Sequence, residues 1–380
     1  MNITFKKFIS LFIALFFSLY CALGFGTGIN DTPEKNYKNV ILFIGDGMGE
    51  NTLDVTNKMH NADLVMDTMP VHANGDSASF GLNMTDSAAG GSALSCGIRF
   101  WVNSVAVFPF APFTVKDMWV PLSLTELAIN NGKSAGVVTT DSTSGATPSA
   151  FSAHALARGM EENISADQLA SDLDLIWGCA SESINEENCK ENGFTYVDTR
   201  DEMNAVASGE RSFAQFNFDE MKNCRHEGDT PSIKEMTVKA IDLLDDNDNG
   251  FFLMVEGACI DKFSHDNDFD GATMNVLEMD KAVAAALEYA EKDGETLVVV
   301  TADHETGGIT LNEETGEYYY TTDSHSVQDV PVFVSASDAG WESGKLYENR
   351  QTAVQIARVM GYGADQFPAV KGFVYDTAAE

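Results

Sequence analysis

Two apolar runs separated by an amphipathic segment constrain the fold of this chain more than any other feature. Phe251 to Val255 and Thr296 to Thr301 consist of Phe, Leu, Met, Val and Thr, as buried strands do. Between them, Asn275 to Lys292 places Val, Met and Leu at helical spacing. A strand, a helix and a second strand in this order predict two parallel strands with the helix packed across them.

The same alternation continues along the chain. Strand character marks Asn39 to Ile44, Ser134 to Thr140 and Val330 to Val334, and helical character marks Thr147 to Arg158 and Leu346 to Met360. The pattern predicts an α/β fold in three layers, with a mostly parallel central sheet and helices on both faces. We expect one domain over residues 25–380, in which the less periodic residues 180–230 form a smaller subregion or an insertion.

Acidic residues and a histidine follow several of the predicted strands. Asp46, Glu256, Asp303 and His304 each lie just past the end of an apolar run. Any one of them could be an ordinary loop residue, but the carboxyl ends of parallel strands meet at the edge where α/β sheets bind ligands. We therefore expect the four side chains to share one site.

Further metal-ligand types lie close by in the sequence. Asp261 and His265 are four residues apart, so one helical turn would place both on the same face. His325 adds another imidazole to the pair formed by Asp303 and His304. Such oxygen and nitrogen donors suit zinc, and magnesium where the ligands are oxygens only.

A competing motif runs from Asp245 to Glu256 and fits the calcium-loop pattern D-x-[DN]-x-[DN]-G-x5-E. A calcium loop should lead into a helix, whereas Phe251 to Val255 has strand character and Leu253 stands at the ninth position. We interpret the segment as an acidic turn that leads into a strand.

Small residues surround Ser87 in the run from Thr85 to Ala93, which precedes an apolar, helix-capable stretch. A serine at a helix start lies beside free backbone N–H groups, which favour an anion or a nucleophilic alkoxide. The alternative is that Asp86 or Ser87 only caps the helix. The G-x-S-x-G spacing of an esterase is absent, so the sequence does not support a hydrolase triad.

The first 24 residues have the pattern of an export signal. Lys6 and Lys7 precede the apolar run Phe8 to Leu23, and Ala22 to Gly24 offers a cleavage site. We expect a periplasmic or extracellular protein; a retained membrane anchor or lipoprotein cleavage at Cys21 are the alternatives.

The remaining cysteines divide into two groups by their surroundings. In an oxidising compartment, we expect two of Cys179, Cys189 and Cys224 to pair, although the sequence does not say which two. Cys96 and Cys259 have apolar neighbours and are expected to be buried thiols.

The acidic composition narrows the range of partners. The chain carries 58 acidic and 23 basic side chains, a formal net charge of −35. This charge disfavours nucleic acids and anionic membrane surfaces. It would also repel an anionic substrate, unless cationic groups line the site.

Taken in order, the motifs resemble those of alkaline phosphatases across residues 37–362, as in the compact bacterial members. The matching motifs are IGDGMG around Asp46, Thr85 to Ala88, Ala146 to Pro148 with His154 to Gly159, Val255 to Asp261, Thr301 to Gly308, and Ser324 with His325. The resemblance implies a secreted phosphomonoesterase with a phosphoserine intermediate, two Zn²⁺ ions and one Mg²⁺ ion. It leaves open a phosphodiesterase or sulfatase, a non-catalytic phosphate- or metal-binding protein, and a homodimer.

The resemblance also implies residue roles. Ser87 matches the nucleophile, Arg158 the group that holds the phosphate, and Asp86 the carboxylate that orients the arginine. The implied metal ligands are Asp261, His265 and His325 for one zinc; Asp46, Asp303 and His304 for the other; and Asp46, Thr147 and Glu256 for magnesium.

Three features depart from the family pattern or have a second interpretation. Lys262 resembles a lysine that contacts the phosphate through water, or it is a surface lysine. Gly145 stands where relatives usually carry Asp or His, which predicts a weaker magnesium site. The aromatic stretch of residues 100–121 departs from the family pattern and has no assigned role; a dimer contact and a lid over the site are the open alternatives.

Overall fold

The computed structural model describes residues 33–109, 118–226 and 228–374. The predicted signal of residues 1–24 and part of the aromatic stretch, 110–117, lie outside the described residues. The strands are β1 Asn39–Gly45, β2 Val71–Asp76, β3 Phe108–Pro109, β4 Met118–Pro121, β5 Ser134–Ser142, β6 Leu175–Cys179, β7 Thr195–Val197, β8 Ser212–Phe216, β9 Phe251–Gly257, β10 Thr296–Thr301, β11 Thr310–Asn312, β12 Glu317–Tyr319, β13 Val330–Val334, β14 Leu346–Glu348 and β15 Val370–Val374.

Helices connect these strands. The α-helices are α1 Glu50–His60, α2 Ser87–Cys96, α3 Leu124–Asn130, α4 Ala146–Ser152, α5 Glu161–Ala170, α6 Glu186–Glu191, α7 Arg200–Ala205, α8 Phe218–Lys222, α9 Ile233–Leu244, α10 Cys259–His265, α11 Phe269–Asp293 and α12 Asn349–Val359. A single turn of 3₁₀-helix spans Val65–Thr68. None of the described helices has the length and apolar character needed to cross a bilayer.

The central sheet has ten strands in the order β14-β2-β13-β10-β1-β9-β5-β6-β8-β7. From β10 to β7 all neighbours run parallel, whereas β13 runs antiparallel to both β10 and β2. A smaller antiparallel sheet joins β3, β4 and β15. The predicted mostly parallel α/β fold is confirmed.

The residues of β1 show why this sheet is covered on both faces. All seven are buried, and the five residues from Val40 to Ile44 alternate between two hydrophobic clusters. Val40, Leu42 and Ile44 lie in the cluster that contains α12, while Ile41 and Phe43 lie in the one that contains α11. Because successive side chains of a strand point to opposite faces, a continuous apolar run must bury both of them.

Two predicted helices have different bounds from those expected. The segment from Thr147 is helical only to Ser152, because Ala155 pairs with Val105 in an isolated β-bridge and the N–H of His154 donates to Asp167. Near the C-terminus, Leu346–Glu348 joins the sheet as β14 and the helix begins at Asn349.

Residues 180–230 contribute β7 and β8 to the edge of the main sheet; α6 precedes β7, α7 lies between the two strands and α8 follows β8. The acidic segment that begins at Asp245 forms a turn, and β9 follows it directly. This arrangement agrees with the interpretation of the calcium-like pattern as a turn leading into a strand.

The predicted disulfide among Cys179, Cys189 and Cys224 is wrong, because all three thiols are free. Cys179 and Cys189 belong to hydrophobic clusters on opposite faces of the sheet, and the Cys224 thiol contacts Asn275. The sheet therefore separates the first two thiols. Cys96 and Cys259 are buried free thiols, as expected.

Candidate active site

The predicted acids meet at the carboxyl edge of three adjacent strands, β10, β1 and β9. Asp46 directly follows β1, and Asp303 lies two residues beyond the end of β10. Glu256 is not past its strand as expected but within it, paired in register with Ile44 and Thr139. All three acids are buried, so the sheet edge presents carboxylates in a place that water reaches poorly.

Asp261, His265 and His325 form a first group, whose candidate ligand atoms all lie within 4.8 Å of one another. The Asp261 Oδ1 is 3.4 Å from Nε2 of His265 and 4.0 Å from Nε2 of His325. The Nδ1 atoms of these histidines contact backbone carbonyl oxygens, at 2.6 Å from Asp323 O and 2.8 Å from Thr85 O respectively. A hydrogen bond at Nδ1 fixes the tautomer that leaves Nε2 free to bind a metal.

Asp46, Asp303 and His304 form a second group within the same 4.8 Å limit, and all three residues are buried. The Nε2 of His304 is 3.5 Å from Asp46 Oδ1 and 3.4 Å from Asp303 Oδ2. Within the described part of the chain, neither of these carboxylate oxygens has a hydrogen-bond partner. A bound cation would satisfy them, because buried polar atoms otherwise lose their solvation without compensation.

Burial and mutual repulsion shift the pKa values of this site. Burial raises the pKa of Asp46, and Asp303 and Asp261 raise it further. Burial and Asp261 raise the pKa of Asp303 to about 7, and burial and Asp141 raise that of Glu256 to about 8. Without metals, these carboxyl groups therefore resist ionisation. Divalent cations would favour the ionised carboxylates, because they offset both the burial and the mutual repulsion of the negative charges.

The imidazole of His304 shifts in the opposite direction. Burial lowers its pKa well below the usual value, and the neighbouring His325 and Arg158 lower it further. The rings of His304 and His325 stack with centroids 3.8 Å apart. His304 is therefore neutral at physiological pH, which is the form that binds metals.

The third set of expected metal ligands, Asp46, Thr147 and Glu256, offers oxygen atoms only. The hydroxyl of Thr147 is buried and has no hydrogen-bond partner among the described residues. Glu256 accepts a hydrogen bond from the Thr139 hydroxyl. An all-oxygen set of this kind suits magnesium better than zinc.

Ser87 is the first residue of α2 and points into the second group. Asp86 caps the helix by accepting a hydrogen bond from the N–H of Ala89, so the predicted cap is present. Ser87 is buried, and its Oγ lies 3.1 Å from His304 Nε2. The segment therefore has both predicted features, a capped helix start and a serine beside a candidate metal group.

Two glycines allow α2 to pack this closely against the site. A Cβ on Gly90 would lie 2.7 Å from the backbone oxygen of Asp303, and one on Gly91 would lie 3.3 Å from the Cα of Thr147. Glycine inside a helix costs about 1 kcal/mol relative to alanine. Here it lets Ser87 approach the carboxyl edge of the sheet.

Arg158 lies beside Asp86, the residue that precedes Ser87, and 40% of its side chain is exposed. Its Nη1 is 3.4 Å from Asp86 Oδ2, and Asp86 also accepts hydrogen bonds from the N–H of Asn103. The backbone N–H of Arg158 donates to Asn103 O at 2.8 Å. Asp86 therefore anchors the guanidinium, which stays partly exposed to solvent.

Lys262 pairs with Asp141, a residue that the sequence analysis did not single out. The Lys262 Nζ is 3.0 Å from Asp141 Oδ2. Burial lowers the pKa of Lys262, but Asp141 outweighs burial and the net pKa is raised. Asp141 follows the predicted strand Ser134 to Thr140, so the rule that found Asp46 could have found it.

Thr306 is the other residue that the sequence analysis missed. Its hydroxyl donates to Asp261 Oδ1 and lies 3.2 Å from Nδ1 of His304, so it links the first two groups. Only its place in the run that contains Asp303 and His304 could have indicated it.

Comparison with known proteins gives a consistent result. The family model for alkaline phosphatase matches residues 37–186 and 180–363. Alkaline phosphatase 4 of Bacillus subtilis is 33% identical over 327 residues, which cover 78% of this chain and 68% of that protein. Alkaline phosphatase of Escherichia coli is 28% identical over 343 residues, which cover 71% and 70% of the two chains.

Solved structures agree with this result. The alkaline phosphatase of the Antarctic bacterium TAB5 superposes with a TM-score of 0.73 at 30% identity, covering 87% of this chain and 99% of that one. Variants of it, with a histidine replaced by glutamate or aspartate, were solved with magnesium bound. The alkaline phosphatase of Thermus thermophilus, with a TM-score of 0.76 at 17% identity, covers 89% of this chain and 94% of its own and shares the fold. This chain is an enzyme that belongs to the alkaline phosphatase family.

Proposed function

We propose that the chain is an exported alkaline phosphatase that hydrolyses phosphate monoesters through a phosphoserine formed on Ser87. The observation that carries the proposal is the position of the Ser87 Oγ, 3.1 Å from His304 Nε2 at the start of a buried helix. His304 belongs to one of two groups of candidate metal ligands, and Arg158 pairs with Asp86, the residue before Ser87.

Ser87, Arg158 and Asp86 have distinct roles in this reaction. The Ser87 oxygen attacks phosphorus, the bond to the leaving alcohol breaks, and water later releases phosphate from the serine. The Arg158 guanidinium binds two phosphoryl oxygens, and Asp86 restrains its orientation. Phosphoryl transfer depends mainly on such positioning and on charge neutralisation.

The metal groups would hold two zinc ions and one magnesium ion. Zinc would bind Asp261, His265 and His325 in one group and Asp46, Asp303 and His304 in the other. Magnesium would bind the side-chain oxygens of Asp46, Thr147 and Glu256. When bound, the metals supply Lewis-acid stabilisation of the charges on the attacking and leaving oxygens. They also make the site locally positive, which offsets the repulsion of an anionic substrate by a chain with a net charge of −35.

One assay on a purified, metal-loaded sample tests this function. We expect turnover of nitrophenyl phosphate to exceed turnover of its bis-ester and of nitrophenyl sulfate, to stop on chelation and to return with zinc and magnesium. Faster turnover of the bis-ester or the sulfate would favour a phosphodiesterase or a sulfatase. Phosphate binding without turnover would indicate a non-catalytic binding protein.

We also propose that residues 1–24 direct export and that residues 25–380 form one catalytic domain. The charged and apolar pattern of the first 24 residues supports this proposal. The mass of the protein recovered outside the cytoplasm should match a chain cleaved after Gly24. A full-length chain retained in membranes would indicate an anchor instead.

A further inference from the structure

The carboxylate of Asp141 fills the space beside Gly145. This glycine precedes α4 and offers no side chain to the third metal group two residues later. A Cβ placed on it would lie 2.7 Å from Asp141 Oδ2 and 2.9 Å from the backbone oxygen of Ser142. The absence of a side chain at position 145 therefore makes room for Asp141.

Contacts on several sides hold Asp141 in this place. Its backbone N–H donates to the Thr139 hydroxyl at 2.8 Å, and the same hydroxyl donates to Glu256. Its carboxylate is 3.0 Å from Lys262 Nζ, and only 18% of its side chain is exposed. The backbone of Asp141 is thus linked through Thr139 to Glu256, and its carboxylate is held by Lys262.

A buried hydroxyl and the carboxyl groups near it indicate that this arrangement can hold a cation. The Thr147 hydroxyl is buried at 1% exposure and has no hydrogen-bond partner in the described residues. The carboxyl groups of Asp46, Glu256 and Asp141 interact with a single lysine, Lys262. Once ionised, the three carboxylates and Lys262 carry a net charge of −2, which one divalent cation neutralises.

We propose that Asp141 is the outer carboxylate of the third metal group and takes the place of a side chain at position 145. This inference rests on the proposed function, because it deepens one of the metal groups assigned there. Mg²⁺ gives up its water reluctantly and keeps several water ligands in protein sites. In this role, the carboxylate of Asp141 accepts hydrogen bonds from such waters. The same carboxylate orients Lys262 through their ion pair.

Magnesium affinity tests this role directly. The zinc-loaded protein is titrated with Mg²⁺ by calorimetry, and the rise of Tm with Mg²⁺ is measured in parallel. Removal of a residue that hydrogen-bonds to the ligands of a metal weakens metal binding by about 10–100-fold. We expect Asp141→Asn to weaken Mg²⁺ binding by a factor in this range. Gly145→Ala should weaken binding in the same direction, because its Cβ would displace the Asp141 carboxylate. Zinc content should stay unchanged in both variants.

Two further variants serve as controls. Asp242 forms an exposed pair with Lys239, at 3.6 Å, and Asp242→Asn should bind Mg²⁺ like the wild type. Lys262→Ala removes a competing cation and should not weaken Mg²⁺ binding. Wild-type affinity in Asp141→Asn, or an equal loss in Asp141→Asn and Lys262→Ala, would overturn the inference. Since the titration needs no turnover, a chain that binds Mg²⁺ as expected but hydrolyses no monoester would contradict only the proposed function.

Discussion

Removal of the metals should make the folded protein less stable as the pH rises. In the metal-free protein the pKa of Asp303 is raised from 3.8 to about 7 and that of Glu256 from 4.5 to about 8. The folded state then keeps protons that the unfolded state releases, so stability falls as pH rises through the interval from about 4 to 8. A shift of this size in either carboxyl corresponds to about 4 kcal/mol. That is a large part of the roughly 5–15 kcal/mol that stabilises a typical domain.

Thermal unfolding measured between pH 5 and pH 8.5 tests this reasoning. The chelated and dialysed protein should lose about 5–15 °C of Tm across this range. The metal-loaded protein should show no such loss, because metal binding favours the deprotonated ligands. Glu256→Gln should reduce the slope of the metal-free protein. A chelated protein whose Tm is independent of pH, or equals that of the loaded protein throughout, would refute the account of the buried carboxylates.

The other predictions concern the phosphate, the helix that carries Ser87, and the surface charge. Arg158→Ala should weaken inhibition by inorganic phosphate at least about tenfold, in line with loss of a bidentate contact, and leave metal content unchanged; unchanged inhibition would exclude a phosphate contact. Gly90→Ala should lower metal content, because the new Cβ would lie 2.7 Å from Asp303 O, whereas Gly159→Ala, with no atom within 4 Å, should not. If both variants keep their metals, α2 does not set the position of Asp303. Added NaCl should raise the Tm, because a net charge of −35 repels itself and salt screens the repulsion; full stability at very low ionic strength would contradict this expectation.

The sheet and most of the site could be predicted from the sequence, because burial forces a local pattern there. A parallel strand that is buried on both faces must be a continuous apolar run, and its carboxyl end must lie at the ligand-binding edge. Asp46 and Asp303 follow such runs. Asp261 and His265 could be paired because helical spacing alone places them on one face.

The features that depend on distant contacts could not be predicted in this way. The helix that begins near Thr147 ends at Ser152 because Ala155 pairs with Val105, which lies 50 residues earlier in the chain. The pairing of Lys262 with Asp141 likewise joins residues 121 positions apart. Local periodicity contains no information about either contact, since both arise only when the sheet is assembled.

The disulfide prediction failed for a related reason. Cys179 and Cys189 are close in sequence, but β6 and α6 place their thiols in hydrophobic clusters on opposite faces of the sheet. Composition suggested that two of Cys179, Cys189 and Cys224 would pair, but all three are free and the sheet keeps the first two apart.

The measurement that tests the central claim most directly is phosphopeptide mapping of the metal-loaded enzyme, quenched in acid during turnover of a phosphate monoester. The account predicts phosphate on the peptide that contains Ser87, and neither turnover nor labelling in Ser87→Ala at wild-type metal content. Covalent phosphate on another residue, or full turnover by Ser87→Ala, would contradict it.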